Sequence, residues 1–188
     1  CTANNHTATP LITITLKKCP DRLRNPFVET EQIQVSSQGI LLTVPDVSNY
    51  FISKQEDHIS VFVEPAPKSL PGDYKAYLMG TVLSAALFLN KELALHAGAL
   101  QIHNKTIMIC GDSGAGKSTV QGYLLKQGAQ LIADDVSVIR KEDTGAYSVA
   151  SGHPNIRLWE DSANMLGYAV EEHHRIRPNE DKFWIPLP

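Results

Sequence analysis

The sequence predicts an α/β fold in which a mixed β-sheet carries flanking helices behind a β-rich N-terminal region. Three observations predict it. The first third alternates apolar and polar residues with period two. Residues 74–90 form an almost continuously apolar helical stretch. A short apolar strand at 106–110 then runs through a glycine-rich loop into a helix from Lys117. The 188 residues fit a single domain, 1–188, with 1–66 as the β-rich region and 67–188 as the core. A chain of this size buries ~70% of its unfolded surface. With 43% hydrophobic and 20% charged residues, it is neither a disordered chain, a collagen-like chain nor a coiled coil.

The elements follow in order. Ile12, Ile14 and Leu16 alternate with Thr13, Thr15 and Lys17, the pattern of a half-buried strand. Ile33 and Val35 repeat it, Gln38-Gly39 marks a turn, and 40–44 is a further strand. Ile59, Val61 and Val63 alternate again until Pro65 and Pro67, which cannot donate to a ladder. Residues 65–72 read as a linker, and Asp73 as the N-cap of a helix over 74–90. Leu78, Val82 and Leu89 share one side of that helix, and small residues between them suit close packing. Residues 93–102 read as one strand, 103–105 as a tight turn and 106–110 as a central strand. The helix from Lys117 stops at Gly128. Leu131-Ile132-Ala133 is a buried strand ending at Asp134-Asp135, and the apolar run resumes with Val136, Val138 and Ile139. Residues 155–159 lead into a short helix near 160–166, and the histidine pair 173–174 reads as a solvated loop.

Charge and cysteine usage exclude several classes. Seventeen basic against 20 acidic residues give −3, which is no footprint for nucleic acid. Lys17, Lys18, Arg22 and Arg24 read as a solvated edge. Three cysteines, Cys1, Cys19 and Cys110, make neither a disulfide framework nor a zinc site. No run reaches the ~18 apolar residues of a membrane span, and no signal peptide is recognised. The expectation is therefore a cytoplasmic protein with no membrane partner. A chain opening on Cys1 is expected to be truncated or processed rather than lipidated.

The segment Gly111-Asp112-Ser113-Gly114-Ala115-Gly116-Lys117-Ser118 fits G-x-x-x-x-G-K-[ST] completely. Glycines let the backbone curl, its N–H groups form a nest for phosphate oxygens, and the helix adds its positive end. Lys117 can reach β- and γ-phosphates, and the Ser118 hydroxyl can hold Mg²⁺. The candidate nucleotide contacts are thus Gly111, Asp112, Ser113, Gly114, Ala115, Gly116, Lys117, Ser118 and Thr119. Asp134-Asp135 stands at the end of the next buried strand, where such proteins place a Mg²⁺ partner. Consecutive acids on an extended chain point to opposite sides, so one can serve the metal and the other the acceptor. His96 lies on the strand paired with 106–110. A lone histidine in an apolar strand is more often a satisfied core residue, and the pattern alone leaves its role open.

At these residues the sequence resembles the catalytic domain of HPr kinase/phosphorylase and its relatives. The likeness runs through Leu95-His96-Ala97-Gly98, the short hairpin, the Gly-Asp-Ser-Gly-Ala-Gly-Lys-Ser loop and Gly128 to Asp135. It spans about 93–140, with a weaker likeness over 58–92 and Ile156-Arg157-Leu158. It looks most like the divergent HPr-kinase-related branch, which includes kinases encoded with lasso-peptide biosynthesis. The resemblance implies a P-loop kinase of the HPr kinase/phosphoenolpyruvate-carboxykinase-like type. It would use ATP and Mg²⁺ to phosphorylate a serine of a peptide or protein, in that branch at the C-terminal end of a lasso-peptide precursor. Carried over, the catalytic residues are Asp134, His96, Lys117 and Arg157, with Ser118 and Asp135 as metal ligands. Asp134 is the expected base, with His96 within reach of it. Asn155 stands where the bifunctional enzyme has a metal-binding glutamate. The later basic loop is reduced to Arg175, Arg177 and Lys182, on a stretch expected to be mobile and to close over phosphate or acceptor. HPr kinases form hexamers, so a homo-oligomer is compatible with the resemblance. The other readings are a small-molecule kinase and a nucleotide-binding regulatory module without transfer. No Leu-Ser-Gly-Gly-Gln signature marks a transport ATPase, and no Asn-Lys-x-Asp reader marks a GTPase.

Overall fold

The structure, a computed structural model, describes residues 11–187; Cys1 lies outside them. It is mixed α/β, with several small sheets and few helices. The chain divides into two compact units, one reaching to Lys91 and one beginning at Glu92.

The first unit is a six-stranded sheet and a helix. Its strands are β1 (Leu11–Leu16), β2 (Val28–Glu29), β3 (Ile33–Ser36), β4 (Gly39–Val44), β5 (Ser48–Gln55) and β6 (His58–Pro65). They lie in the order β1-β6-β5-β4-β3-β2, with β1 parallel to β6 and the rest antiparallel. The alternation at 59–63 does what period two dictates: Ile59, Val61 and Val63 are fully buried, beside Tyr50 and Ile52 of β5. β5 escaped the sequence reading, because Ser48-Asn49-Tyr50-Phe51-Ile52-Ser53 puts a large ring on each face. Phe51 packs with Phe62, Leu41, Leu23 and Cys19 on the opposite side.

Over that sheet lie α1 (Tyr74–Tyr77), a π-helical turn (Leu78–Val82) and α2 (Leu83–Leu89). Leu78, Val82 and Ala86, four residues apart, face the sheet core. Each fully buried aliphatic chain there is worth about 1.5–3 kcal/mol. The helix grouped with the core on the sequence therefore packs on the β-rich sheet, and the chain divides after Lys91 rather than near residue 66. Asp73 stands at the N-cap, but its side chain makes no capping bond. Tyr50 Oη instead donates to the Tyr74 carbonyl at 2.7 Å.

The second unit holds three small sheets. Its strands are β7 (Leu93–Leu95), β8 (Ala97–Ile102), β9 (Lys105–Cys110), β10 (Gln130–Ala133), β11 (Ser137–Lys141), β12 (Tyr147–Val149), β13 (Asn155–Trp159), β14 (His174–Arg175) and β15 (Lys182–Pro186). Its helices are α3 (Lys117–Lys126) and α4 (Glu160–Met165), with a 3₁₀ turn at Val170–Glu172. The sheets are β10-β8-β9, β12-β11-β7 and β13-β15-β14. Ile156, Leu158, Ala163, Val170, Phe183 and Ile185 form the core beneath the last.

Three expectations change here. The predicted strand 93–102 breaks at His96: Leu93–Leu95 pairs with β11, and Ala97–Ile102 pairs with β9 and β10. Among the described residues β9 is an edge strand, not a central one, with Ile107 partly exposed. The basic stretch expected to be mobile closes the third sheet as β14 and β15, because Phe183 and Ile185 alternate into the core. Gly128 does end α3, in the left-handed region at φ +92°. No helix of the described residues is long and apolar enough to cross a membrane.

Candidate active site

The glycine-rich loop joins β9 to α3. Gly114 and Gly116 hold φ of +81° and +84°, which glycine adopts without strain, and open space lies where a Cβ would stand. No side chain caps the N-terminus of α3, and no acid stands in its first turn. Its first amides are free for an anion. Lys117 Nζ folds back over the loop, donating to the Gly111 carbonyl at 2.7 Å and the Asp112 carbonyl at 2.8 Å. A cationic donor over uncapped amides is a fitting cradle for phosphate. Thr119 faces elsewhere: its hydroxyl shares a 2.8 Å hydrogen bond with the Ser162 hydroxyl on α4.

The acidic pair follows β10, where the chain turns toward β11. Asp135 takes φ +68°, so the two acids do not diverge as on an extended strand. Both reach Arg157 of β13. Asp134 Oδ2 accepts from the Arg157 backbone N–H at 3.0 Å and from Nε at 3.2 Å. Asp135 Oδ2 pairs with the other end of the guanidinium, Nη2. The side chains of Asp134 and Arg157 are 6% and 10% exposed, so this pair is buried. Burial pushes the Asp134 carboxyl above its usual range, and Arg157 only partly offsets it. The Arg157 guanidinium also lies 5.2 Å over the Trp184 ring.

His96 stands at the break between β7 and β8, with Nδ1 3.4 Å from Asp135 Oδ1. It meets Asp135 rather than Asp134. Burial, then Lys117, Arg157 and Lys182, hold its imidazole below the ordinary value. Lys182, opposite Trp159 in the β13–β15 ladder, is depressed by burial first and by Arg157 next. Lys117, Arg157, Lys182, Asp134 and His96 therefore act on one another through a shared field. Arg175 and Arg177 are committed locally instead. Arg175 pairs with Asp181 and Arg177 with Glu180. Trp184 and Ser162, which the sequence reading passed over, support Arg157 and Thr119. The alternation of Phe183-Trp184-Ile185 was the signal for the strand that carries Trp184.

The donor set also bears on a metal. Ser118 and Asp135 offer hard oxygens, and Mg²⁺ takes one or two such ligands while phosphates and water complete its shell. Among the described residues no group of three or more His, Cys, Asp or Glu is placed to hold an ion. These residues fit a nucleotide-borne Mg²⁺ and not an all-protein cage. Asn155, in place of a glutamate, bonds its Nδ2 to His153 Nδ1 at 2.7 Å.

Residues 88–157 match the family described as the HPr Serine kinase C-terminal domain. Over this stretch the chain is similar to HPr kinases. The matched stretch carries the loop, both aspartates, His96 and Arg157. The chain is 29% identical over 151 residues to the HPr kinase/phosphorylase of Streptococcus pneumoniae, covering 79% of this chain and 41% of the relative. Against the Streptococcus mutans HPr kinase/phosphorylase it is 28% identical over 147 residues, 75% and 40% of the two chains. Against that of Lactobacillus gasseri it is 31% identical over 109 residues, 54% and 34%. The chain thus spans about two fifths of the length of these curated relatives, or less. No solved structure gives a significant match.

Proposed function

We propose that this chain is an ATP-dependent kinase that phosphorylates a serine hydroxyl of a peptide or protein. The observation that carries the reading is the buried Asp134, held by Arg157 at the strand end that follows the phosphate-binding loop and its helix. Binding a nucleotide without transfer needs no buried proton acceptor. The names of the curated relatives, HPr kinase/phosphorylase, support the same reading.

Bound ATP with Mg²⁺ would supply the phosphoryl group and the charge neutralisation for its transfer. The chain's own residues do the rest. The amides of Gly114, Gly116, Lys117 and Ser118 bind the phosphates, the Ala115 amide being held by the Asp112 carbonyl, and Lys117 exchanges its two carbonyl partners for them. Ser118 and Asp135 would hold the Mg²⁺ that the nucleotide brings. Asp134, whose carboxylate form the Arg157 guanidinium favours against its burial, takes the proton of the serine hydroxyl. Arg157 places positive charge where the transferring group accumulates negative charge, and a phosphate there would in turn favour the charged form of Lys182. His96 stays neutral near pH 7 and orients Asp135 without adding charge.

The test is transfer itself. The protein is incubated with ATP, Mg²⁺ and candidate acceptors, and serine peptides gaining one phosphoryl group are found by mass spectrometry. The C-terminal segment of a lasso-peptide precursor is one such acceptor, and small hydroxyl compounds form the second set. Phosphoserine on a polypeptide supports the proposal. Transfer to small molecules alone, or hydrolysis with no acceptor labelled, overturns it.

A further inference from the structure

Gln121 has no part in the chemistry above, yet its side chain is 1% exposed in the middle of the second unit. It lies one turn after Lys117 on α3, on the same helix face. Its Nε2 donates to the Ala133 carbonyl at 3.1 Å, the peptide group that leads directly into Asp134. On its other side stands Gly98, two residues after His96. A Cβ on Gly98 would lie 2.0 Å from Gln121 Oε1, 2.6 Å from Cδ and 2.9 Å from Nε2. Gly98 lacks a positive φ, so what a side chain there would displace is the Gln121 amide and not the backbone. One buried amide therefore touches the three segments that carry the loop lysine, the acidic pair and the histidine.

From this juxtaposition we infer that Gln121 is a positioning residue: it fixes Asp134-Asp135 and the His96 bend against the helix of the phosphate-binding loop. The inference rests on the kinase reading for its activity arm only. A methionine fills nearly the same volume with no donor. A glutamate keeps the shape and cannot donate once ionised. In both, the Ala133 carbonyl loses its tie to α3, while the loop amides and Lys117 stay as they are.

The experiment compares wild type with Gln121→Met, Gln121→Glu and Gly98→Ala on the full chain. In Gln121→Met, turnover at saturating nucleotide should fall about tenfold to a hundredfold, the penalty of a misplaced reacting group. Nucleotide affinity should stay within about threefold, because the loop binds without the amide. Gly98→Ala should reproduce the loss by pushing the amide aside, and Gly98→Ala/Gln121→Ala should regain melting temperature without regaining turnover. A purely packing role predicts that stability and turnover return together, which would overturn the inference. So would nucleotide affinity falling in step with turnover, or no loss in either donor-free variant. A second arm needs no acceptor. In nucleotide-free protein, the amide resonances of His96, Asp134 and Asp135 should shift in Gln121→Met, while those of β12 do not. Should the wild type transfer nothing, the kinase reading fails, and these shifts still decide whether Gln121 holds the segments together.

Discussion

Asp134 keeps a carboxylate below the surface with Arg157 as its counter-charge, and that balance sets how it titrates. Burial raises its pKa above 3.8, ahead of the lowering by Arg157. A base must be ionised to work, so turnover is lost as pH falls through this raised value. The acid limb of kcat/KM should therefore lie above 3.8, the ordinary carboxyl value; a limb at or below it would remove Asp134 from the role. Asp134→Asn keeps the shape and deletes the charge. It should lose about 10²–10⁴-fold in turnover, the usual worth of general base catalysis, with little change in nucleotide affinity. Asp135→Asn should instead raise the Mg²⁺ concentration needed for activation. Titrating nucleotide and Mg²⁺ on both variants separates the roles, and swapped results would exchange the assignments. Lys117→Ala removes the cation over the loop and leaves its glycines untouched, so transfer should vanish from a protein that melts near wild type. Near-full activity in that variant would exclude the loop as the phosphate site.

β13 is the element on which the acidic pair depends, because Arg157 reaches both carboxylates from it while Ile156 and Leu158 anchor its other face. Arg157→Met keeps the hydrocarbon stem and leaves Asp134 buried without its partner. Breaking such a pair from one side costs about 3–5 kcal/mol, so the variant should unfold at clearly lower denaturant, with the midpoint read by circular dichroism. An unchanged midpoint would show that Asp134 is solvated in solution. The loop, the Asp134-Asp135 pair and α3 were legible in the sequence, because each is written in consecutive residues. The shared arginine was legible only as proximity. Its convergence on both acids needs the φ of +68° at Asp135, which an aspartate does not announce. The bend at His96 was hidden for a related reason. Leu93 to Ile102 reads as one apolar run, and only competition between β11 and β9 for its two halves divides it. β15 is obscured in the sequence because Pro178, Asn179 and Glu180 suggest a loop, whereas Phe183 and Ile185 supply the burial that orders the strand.

At the scale of the whole molecule, every candidate site residue falls after Glu92, while the six-stranded sheet before it has a separate core of Ile52, Ile59, Val61, Val63, Leu78 and Val82. Each unit can be followed by its own buried amides. A ligand stabilises the part that binds it by RT ln(1 + [L]/Kd), about 2.7 kcal/mol at a hundredfold excess over Kd. Nucleotide with Mg²⁺ should therefore slow hydrogen exchange about a hundredfold at the amides of Ile156, Leu158 and Phe183 that exchange by opening of the second unit. Ile52, Ile59 and Val61 should exchange as before. Leu158→Ala removes a fully buried side chain and should cost about 2–5 kcal/mol, speeding exchange in the second core and weakening nucleotide protection there. Val61→Ala carries a similar packing loss in the first core and should leave that protection intact. Protection spreading equally to Ile59 and Val61, or a loss of nucleotide protection in Val61→Ala, would place part of the binding free energy in the first unit. Residues before Lys91 would then have to be counted with the site.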